Sequence, residues 1–246
     1  MWEFRASREG SVEGASGHRL DIAGRQLQLD HARFEVDSDE QAIRVHVTVF
    51  HPEFAAMPED AQITVAYLLL DWLIGEDDVE RWVGEISTSH RASETAVDAA
   101  GLSRVVSELA TPYRLDRDHW ASFHGNDQNG DPYTGVIRRG VRWIDSPSMD
   151  LHQMVRMEYL SNAEGLPVAE ELGRLEAAGD RLLAVVGRRV VLVGHIDNQG
   201  ARTFHYYSDS EDQNVTADLA KAARGLDASI TSTFDPGWKH VRQMTG

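Results

Sequence analysis

The sequence predicts an α+β fold. Three observations predict it. Strand-like alternation and helical periodicity occupy successive blocks in the N-terminal half rather than alternating one by one. The C-terminal part reads strand, helix, strand, strand, helix, strand. Between the two, residues 115–150 lose regular periodicity and are punctuated by glycine and proline, as at a domain joint.

In the N-terminal half, "HRLDIAGRQLQLDHARFEV" and "QAIRVHVTVF" read as strands. In the second, Ile43, Val45, Val47 and Val49 alternate with Arg44, His46 and Thr48, so one face is buried. "HPEF" breaks the strand. Pro58, Glu59 and Asp60 then suit a helix start, where acids favour the dipole. The helix from about Glu59 to Leu73 is apolar nearly all round, hence buried. Gly75 interrupts it. Val79, Trp82, Val83 and Ile86 continue at helical spacing through "EDDVERWVGEI", and "SETAVDAAGLSRVVSELA" gives another helix.

In the C-terminal half "HQMVRMEYL" is a strand and "LPVAEELGRLEAAGDRLLAVV" mostly helix. "RRVVLVGHID" and "RTFHYYSD" form a hairpin around "NQGA". "DQNVTADLAKAARGL" is a helix closed by Gly225, and "LDASITSTF" is the last strand. This β-α-β-β-α-β order predicts a ferredoxin-like split unit with both helices on one face of the sheet. The expected organisation is an N-terminal α+β domain at 1–114, an irregular connector at 115–150 and the ferredoxin-like domain at 151–246.

Composition narrows the function classes. The 246 residues carry 40 acids against 24 bases, a formal charge of −16. Such a field repels phosphate backbones, which makes nucleic acid an unfavourable ligand. It would steer a basic protein partner, or simply keep the chain soluble. No cysteine is present, so disulfides, thiolate zinc sites and a cysteine nucleophile are excluded. The opening "MWEFRASREG" has no apolar signal segment, and the longest apolar run, Ile63 to Ile74, is too short to span a bilayer and contains Asp71. A cytoplasmic protein without a membrane segment is expected.

Three places carry chemistry-bearing side chains. "HGNDQNGD", His124 to Asp131, resembles the start of a calcium loop: Asp127, Asn129 and Asp131 fit ligand positions 1, 3 and 5. Position 6 is Pro132 rather than glycine, and position 12 is Arg138 rather than glutamate. Asn129-Gly130 is a turn signal, so a joint is expected and no metal. Asp71, inside an apolar helix, invites a metal set with His51 and Glu76, yet no recognised ligand spacing supports one, and a satisfied structural carboxylate is expected. No cofactor is implied.

The third place is the C-terminal sheet. Alternation assigns Val190, Leu192, Ile196, Phe204 and Tyr206 to the helix-covered face, with Val155, Met157 and Tyr159 from the first strand. That arrangement requires an odd-length hairpin loop. His152, Arg156, Glu158, His195, Thr203, His205 and Tyr207 then share the opposite face, which the unit's own helices do not cover. This set is the candidate partner-binding surface. The alternative is that the face packs on the N-terminal half or on a second subunit, so a homodimer stays open.

Gly200, Arg202, Phe204, Tyr206 and Tyr207, followed by Asp235, Pro236 and Trp238, carry a resemblance. Their order resembles the bacterial family known as domain of unknown function 695: a hairpin closing on G-x-R-x-F-x-[FY]-Y, a helix, a last strand, then D-P-x-W and a terminal aromatic. Here His240 or Val241 stands where a final tyrosine is usual. That family is in turn similar to the ferredoxin-like regulator of ribonuclease E activity, an acidic protein that acts by binding an enzyme. The resemblance implies no catalytic residues.

Two function classes remain open. One is a non-catalytic acidic regulator or inhibitor that binds a protein partner, of the immunity type if the partner is a basic toxin. The other is a hydrolase using histidine and carboxylates, with or without a metal.

Overall fold

The computed structural model describes residues 10–12, 19–22, 25–115 and 119–240. Most of the N-terminal stretch read for a signal segment, and Val241, lie outside the described residues. The chain divides into two compact units, Met1–Leu115 and Asp116–Gly246. Both mix helix and strand, so the class is α+β.

In the first unit, β1 (Arg19–Ile22) and β2 (Arg25–Gln28) form a two-stranded sheet. A second sheet holds β3 (Arg33–Asp39), β4 (Arg44–Phe50) and β5 (Val83–Ser89) in that order, with β4 antiparallel to β3 and parallel to β5. Two helices connect β4 to β5, namely α1 (Glu59–Ile74) and α2 (Glu76–Trp82); α3 (Ala99–Leu115) follows β5. Val45, Val47 and Val49 are buried as their alternation predicts, against Phe34, Leu69, Leu70 and Leu102. Gly75 breaks the helix at φ 90°, a conformation that costs glycine least.

One expectation here is corrected. Val83 and Ile86 do not continue a helix; they pair with Val45 and Val47 as part of β5. The spacing of Val79, Trp82, Val83 and Ile86 fits a helix by coincidence. Once the chain leaves α2, the β-branched and hydroxyl residues of "VGEISTS" complete the buried sheet instead.

The second unit is built on one six-stranded sheet. Its strands are β6 (Trp120–Asn126), β7 (Pro132–Arg138), β8 (Leu151–Glu158), β9 (Val190–Asn198), β10 (Ala201–Ser208) and β11 (Ser229–Phe234). The order across the sheet is β11-β8-β10-β9-β7-β6, antiparallel throughout. Helix α4 (Ala169–Val186) links β8 to β9, and α5 (Gln213–Arg224) links β10 to β11. Both pack on one face: Leu182, Val186, Val215 and Leu219 meet Val155, Phe204 and Tyr206.

Residues 115–150, expected to be irregular, contain the β6–β7 hairpin, which extends the sheet beyond β9. The "HGNDQNGD" stretch contains its turn. Asp127 Oδ1 accepts from the amides of Asn129 and Asp131 at 2.8 and 2.9 Å, and the Gln199 amide reaches both carboxylates.

The β9–β10 hairpin corrects the assignment of faces. Asn198 pairs with Ala201, so the turn has two residues, Gln199 and Gly200, at φ 47° and 76°. Such turns match the twist of the strands they join. An even-length turn places His195 opposite Phe204, on the helix-covered face, and Ile196 opposite Thr203 on the other. The register then shifts by one residue at Val193, so Leu192 and Val190 return to the helix side opposite Tyr206 and Ser208. This is a β-bulge. Gly194 beside it must be glycine, because a Cβ there would lie 2.3 Å from the carbonyl oxygen of Val136 on β7.

Candidate functional site

The face of the sheet opposite α4 and α5 was expected to be bare. It is covered from within the unit. Ile137, Val193, Tyr207 and Trp238 form a small core there, joined by Phe123, Val141, Trp143 and Met149. The strands supply the floor, and residues 141–149 together with the chain after β11 supply the cover. Of the seven residues expected at a contact surface, His152, His205 and Tyr207 are buried. Arg156 and Glu158 are exposed, Thr203 is half-buried, and His195 lies on the opposite face. The set is therefore split. A bare face of this size would leave Tyr207, Ile137 and Val193 in water, and Trp238 removes that cost by capping them.

The cover is anchored by a hydrogen-bond pattern centred on Asp235. Tyr207 and His152 are direct cross-strand partners on β10 and β8. The Tyr207 hydroxyl donates to Asp235 Oδ2 at 2.7 Å, and the amides of Lys239 and His240 donate to the same carboxylate at 3.0 and 3.3 Å. The Asp235 amide donates to the Asp150 carbonyl at 2.8 Å. Burial opposes ionisation of Asp235, but the Tyr207 hydroxyl, the two amides and the nearby His240 outweigh it and hold the carboxyl below its ordinary value. Trp238 then stacks on Tyr207 with centroids 4.2 Å apart, and its indole N–H donates to the Met149 carbonyl at 2.5 Å. In the Asp-Pro-x-Trp element, Pro236 follows the last strand and Trp238 packs into the small core. The carboxylate's role as acceptor for Tyr207 was not legible.

Beside this anchor lies a row of histidines. His152 Nε2 and His205 Nδ1 are 3.1 Å apart and share one hydrogen bond. His240 stacks on His152 at 4.3 Å. The outer nitrogens, His152 Nδ1 and His205 Nε2, make no hydrogen bond among the described residues. Burial pushes His152 down to about 4, aided by His240 and opposed by Asp235. Burial likewise pushes His205 down to about 3, aided by His152, His240 and His195. Both rings are neutral at pH 7.

On the helix-covered face, Arg202 and Asp197 form a two-point ion pair. Arg202 Nε reaches Oδ1 at 2.8 Å and Nη2 reaches Oδ2 at 2.7 Å. Asp197 is a partner that sequence reading missed. The available signal was its place two residues before the turn, opposite Arg202. His195 lies nearby, and burial, then the Arg202 charge, lower it to about 4 against the pull of Asp197.

In the first unit, the imagined set of His51, Asp71 and Glu76 does not form a ligand group. His51 Nε2 donates to the Gln28 carbonyl at 3.0 Å, while Nδ1 accepts from the Glu53 amide at 3.2 Å. Both nitrogens are thus occupied. Burial, then the charge of Glu76, raises the Asp71 carboxyl. No cluster of three His, Asp or Glu side chains placed to hold a metal ion occurs among the described residues.

Residues 134–243 match the family of unknown function DUF695. No curated protein matches the chain. The DUF695 span begins within β7 and takes in the sheet from there through β11, both helices and the Trp238 cover. Gly200, Arg202, Phe204, Tyr206, Tyr207, Asp235, Pro236 and Trp238 all fall inside it. Among the described residues no helix is long and apolar enough to cross a membrane.

The anchor has a measurable weight. Tyr207→Phe keeps the ring stack and deletes one hydrogen bond to a carboxylate. Urea unfolding should show a loss of about 1.5–3 kcal/mol. An unchanged midpoint would mean that the hydroxyl–Asp235 bond does not hold the cover down.

Proposed function

We propose that this protein is a non-catalytic, acidic binding protein that regulates or inhibits a basic protein partner. The observation that carries this reading is the inward use of the DUF695 unit's reactive side chains. A catalytic group must reach substrate within hydrogen-bond distance. Here Tyr207 is committed to Asp235, Arg202 to Asp197, and His152 to His205, all in buried positions. The charge of −16 supplies the complementary half: it speeds approach of a basic surface and repels polyanions. An immunity-type inhibitor of a basic toxin is the specific form of this reading. The accessible members of the expected contact set, Arg156, Glu158 and Thr203, are its proposed contact residues.

The test is affinity capture from a cell extract, then kinetics with the captured protein purified. A stoichiometric, basic partner should associate with a rate constant that falls steeply with added salt. Arg156→Ala with Glu158→Ala should weaken the complex and leave the melting temperature unchanged. A salt-insensitive association, or chemical turnover of the captured molecule, would overturn the reading.

A further inference from the structure

The sheet of the second unit ends in β11, whose outer edge carries no strand among the described residues. Its sequence, Ser229-Ile230-Thr231-Ser232-Thr233-Phe234, has no charged residue, although 26% of the chain is charged. Natural edge strands usually carry lysine, proline or an inward charge that blocks pairing. This one has none, and every residue from Thr231 to Phe234 is exposed, Phe234 at 65%.

The edge also matches itself. Ile230 and Phe234 pair with Val155 and Leu151 of β8, which places both on the helix-covered side. A two-fold axis through Ser232 and normal to the sheet keeps like faces together. Antiparallel pairing about it sets Ile230 against Phe234 of the second copy, twice, and Thr231 against Thr233, twice. Ser232 meets its own equivalent. Aromatic against β-branched and threonine against threonine are favourable cross-strand pairs. The register buries the most exposed large side chain of the strand. The opposite edge, β6, lacks this match, since a two-fold through Phe123 sets Gly125 against Ala121.

We propose that β11 is a self-association edge, on which a second copy of this chain pairs antiparallel about Ser232 to make one continuous twelve-stranded sheet. For a chain of charge −16, an uncharged edge is where two copies approach with least like-charge repulsion. Isologous pairing of this kind closes on itself, so the product is a dimer and not a filament. One strand pair is a small contact, and the dimer should dissociate in the micromolar range.

The absence of native cysteine gives a clean test. Sedimentation of the full chain should show a monomer–dimer equilibrium. Ser232→Asp sets like charges opposite each other and should raise the dissociation constant on the order of tenfold, with unchanged circular dichroism. Under mild oxidation, Ser232→Cys should form a disulfide-linked dimer, because its equivalent lies directly across the axis. Thr231→Cys, whose opposite position is Thr233, should remain monomeric on a denaturing gel. Three outcomes would overturn the proposal: a wild-type chain that stays monomeric at high micromolar concentration, equal cross-linking of the two cysteine variants, or a dimer that Ser232→Asp leaves intact. The first would leave the edge open for an extended peptide from another protein. The last would place self-association elsewhere on the chain.

Discussion

Asp197→Ala is expected to remove about 3–5 kcal/mol of stability, the usual cost of stranding one member of a buried ion pair. Arg202 and Asp197 are 6% and 5% exposed at their side chains and are joined by two charge-assisted hydrogen bonds. Without the carboxylate, the guanidinium keeps its burial and loses its counter-charge. Its remaining neighbours include the Phe204 ring, 5.9 Å away, which replaces little of that. Replacing both partners, Asp197→Leu with Arg202→Met, should cost far less than the single change, because no buried charge is left. Urea unfolding of the wild type, both single variants and the double variant gives the coupling directly. A cost below about 1 kcal/mol for Asp197→Ala would show that water reaches the pair and that Arg202 is not held by it. The arginine of the G-x-R-x-F pattern is on this view a fixture of the fold.

Much of this architecture is visible in the sequence because it is local. The alternation through Ile43, Val45, Val47 and Val49 predicts the buried side of β4, and the element order from Leu151 to Phe234 follows from period, turn residues and the close at Gly225. Three features were hidden for physical reasons. The β6–β7 hairpin carries Gly125 and Gly135 inside its strands, which blurs the alternation a strand normally shows. Gly135 is there because Phe123 and the His195 carbonyl leave no room for a Cβ. The bulge at Val193 inverts the two ends of β9 relative to each other, and a single two-residue alternation cannot describe both. Most of all, the cover over His152 and Tyr207 depends on contacts across long sequence separations, such as Trp238 on Met149 and Asp235 on Tyr207. Alternation correctly puts His152, His205 and Tyr207 on one face. It says nothing about whether that face meets water, and so a buried histidine pair was read as an exposed contact surface.

That burial makes acid the strongest lever on the second unit. Stability should be flat above about pH 6.5 and fall as pH drops below it. An unfolded chain takes up protons on its histidines near 6.5, whereas the folded chain refuses them until about 4 at His152 and about 3 at His205. Between those values the unfolded state binds more protons, so lowering pH favours it. Each withheld proton costs about 1.4 kcal/mol per pH unit. At pH 5 the pair should have given up about 4 kcal/mol, a large part of the 5–15 kcal/mol typical of a domain. The geometry explains the refusal. The neutral pair already has one proton in its shared hydrogen bond, and the outer nitrogens have no acceptor among the described residues. A further proton would place a charge between His240 and the aromatic stack, with Asp235 already occupied by Tyr207 and two amides. Asp235 acts in the same direction at lower pH, its stabilisation being lost as pH falls below the ordinary carboxylate range. Denaturant midpoints measured from pH 7.5 to pH 4.5 should therefore fall steeply. In His205→Gln, which cannot protonate, the slope over the same range should fall by roughly a third at equal starting stability, because His152 and His195, both pushed down to about 4, still refuse protons. A wild-type midpoint that stays constant from pH 7 to pH 5 would mean that the cluster opens to water and that the Trp238 cover is not closed in solution.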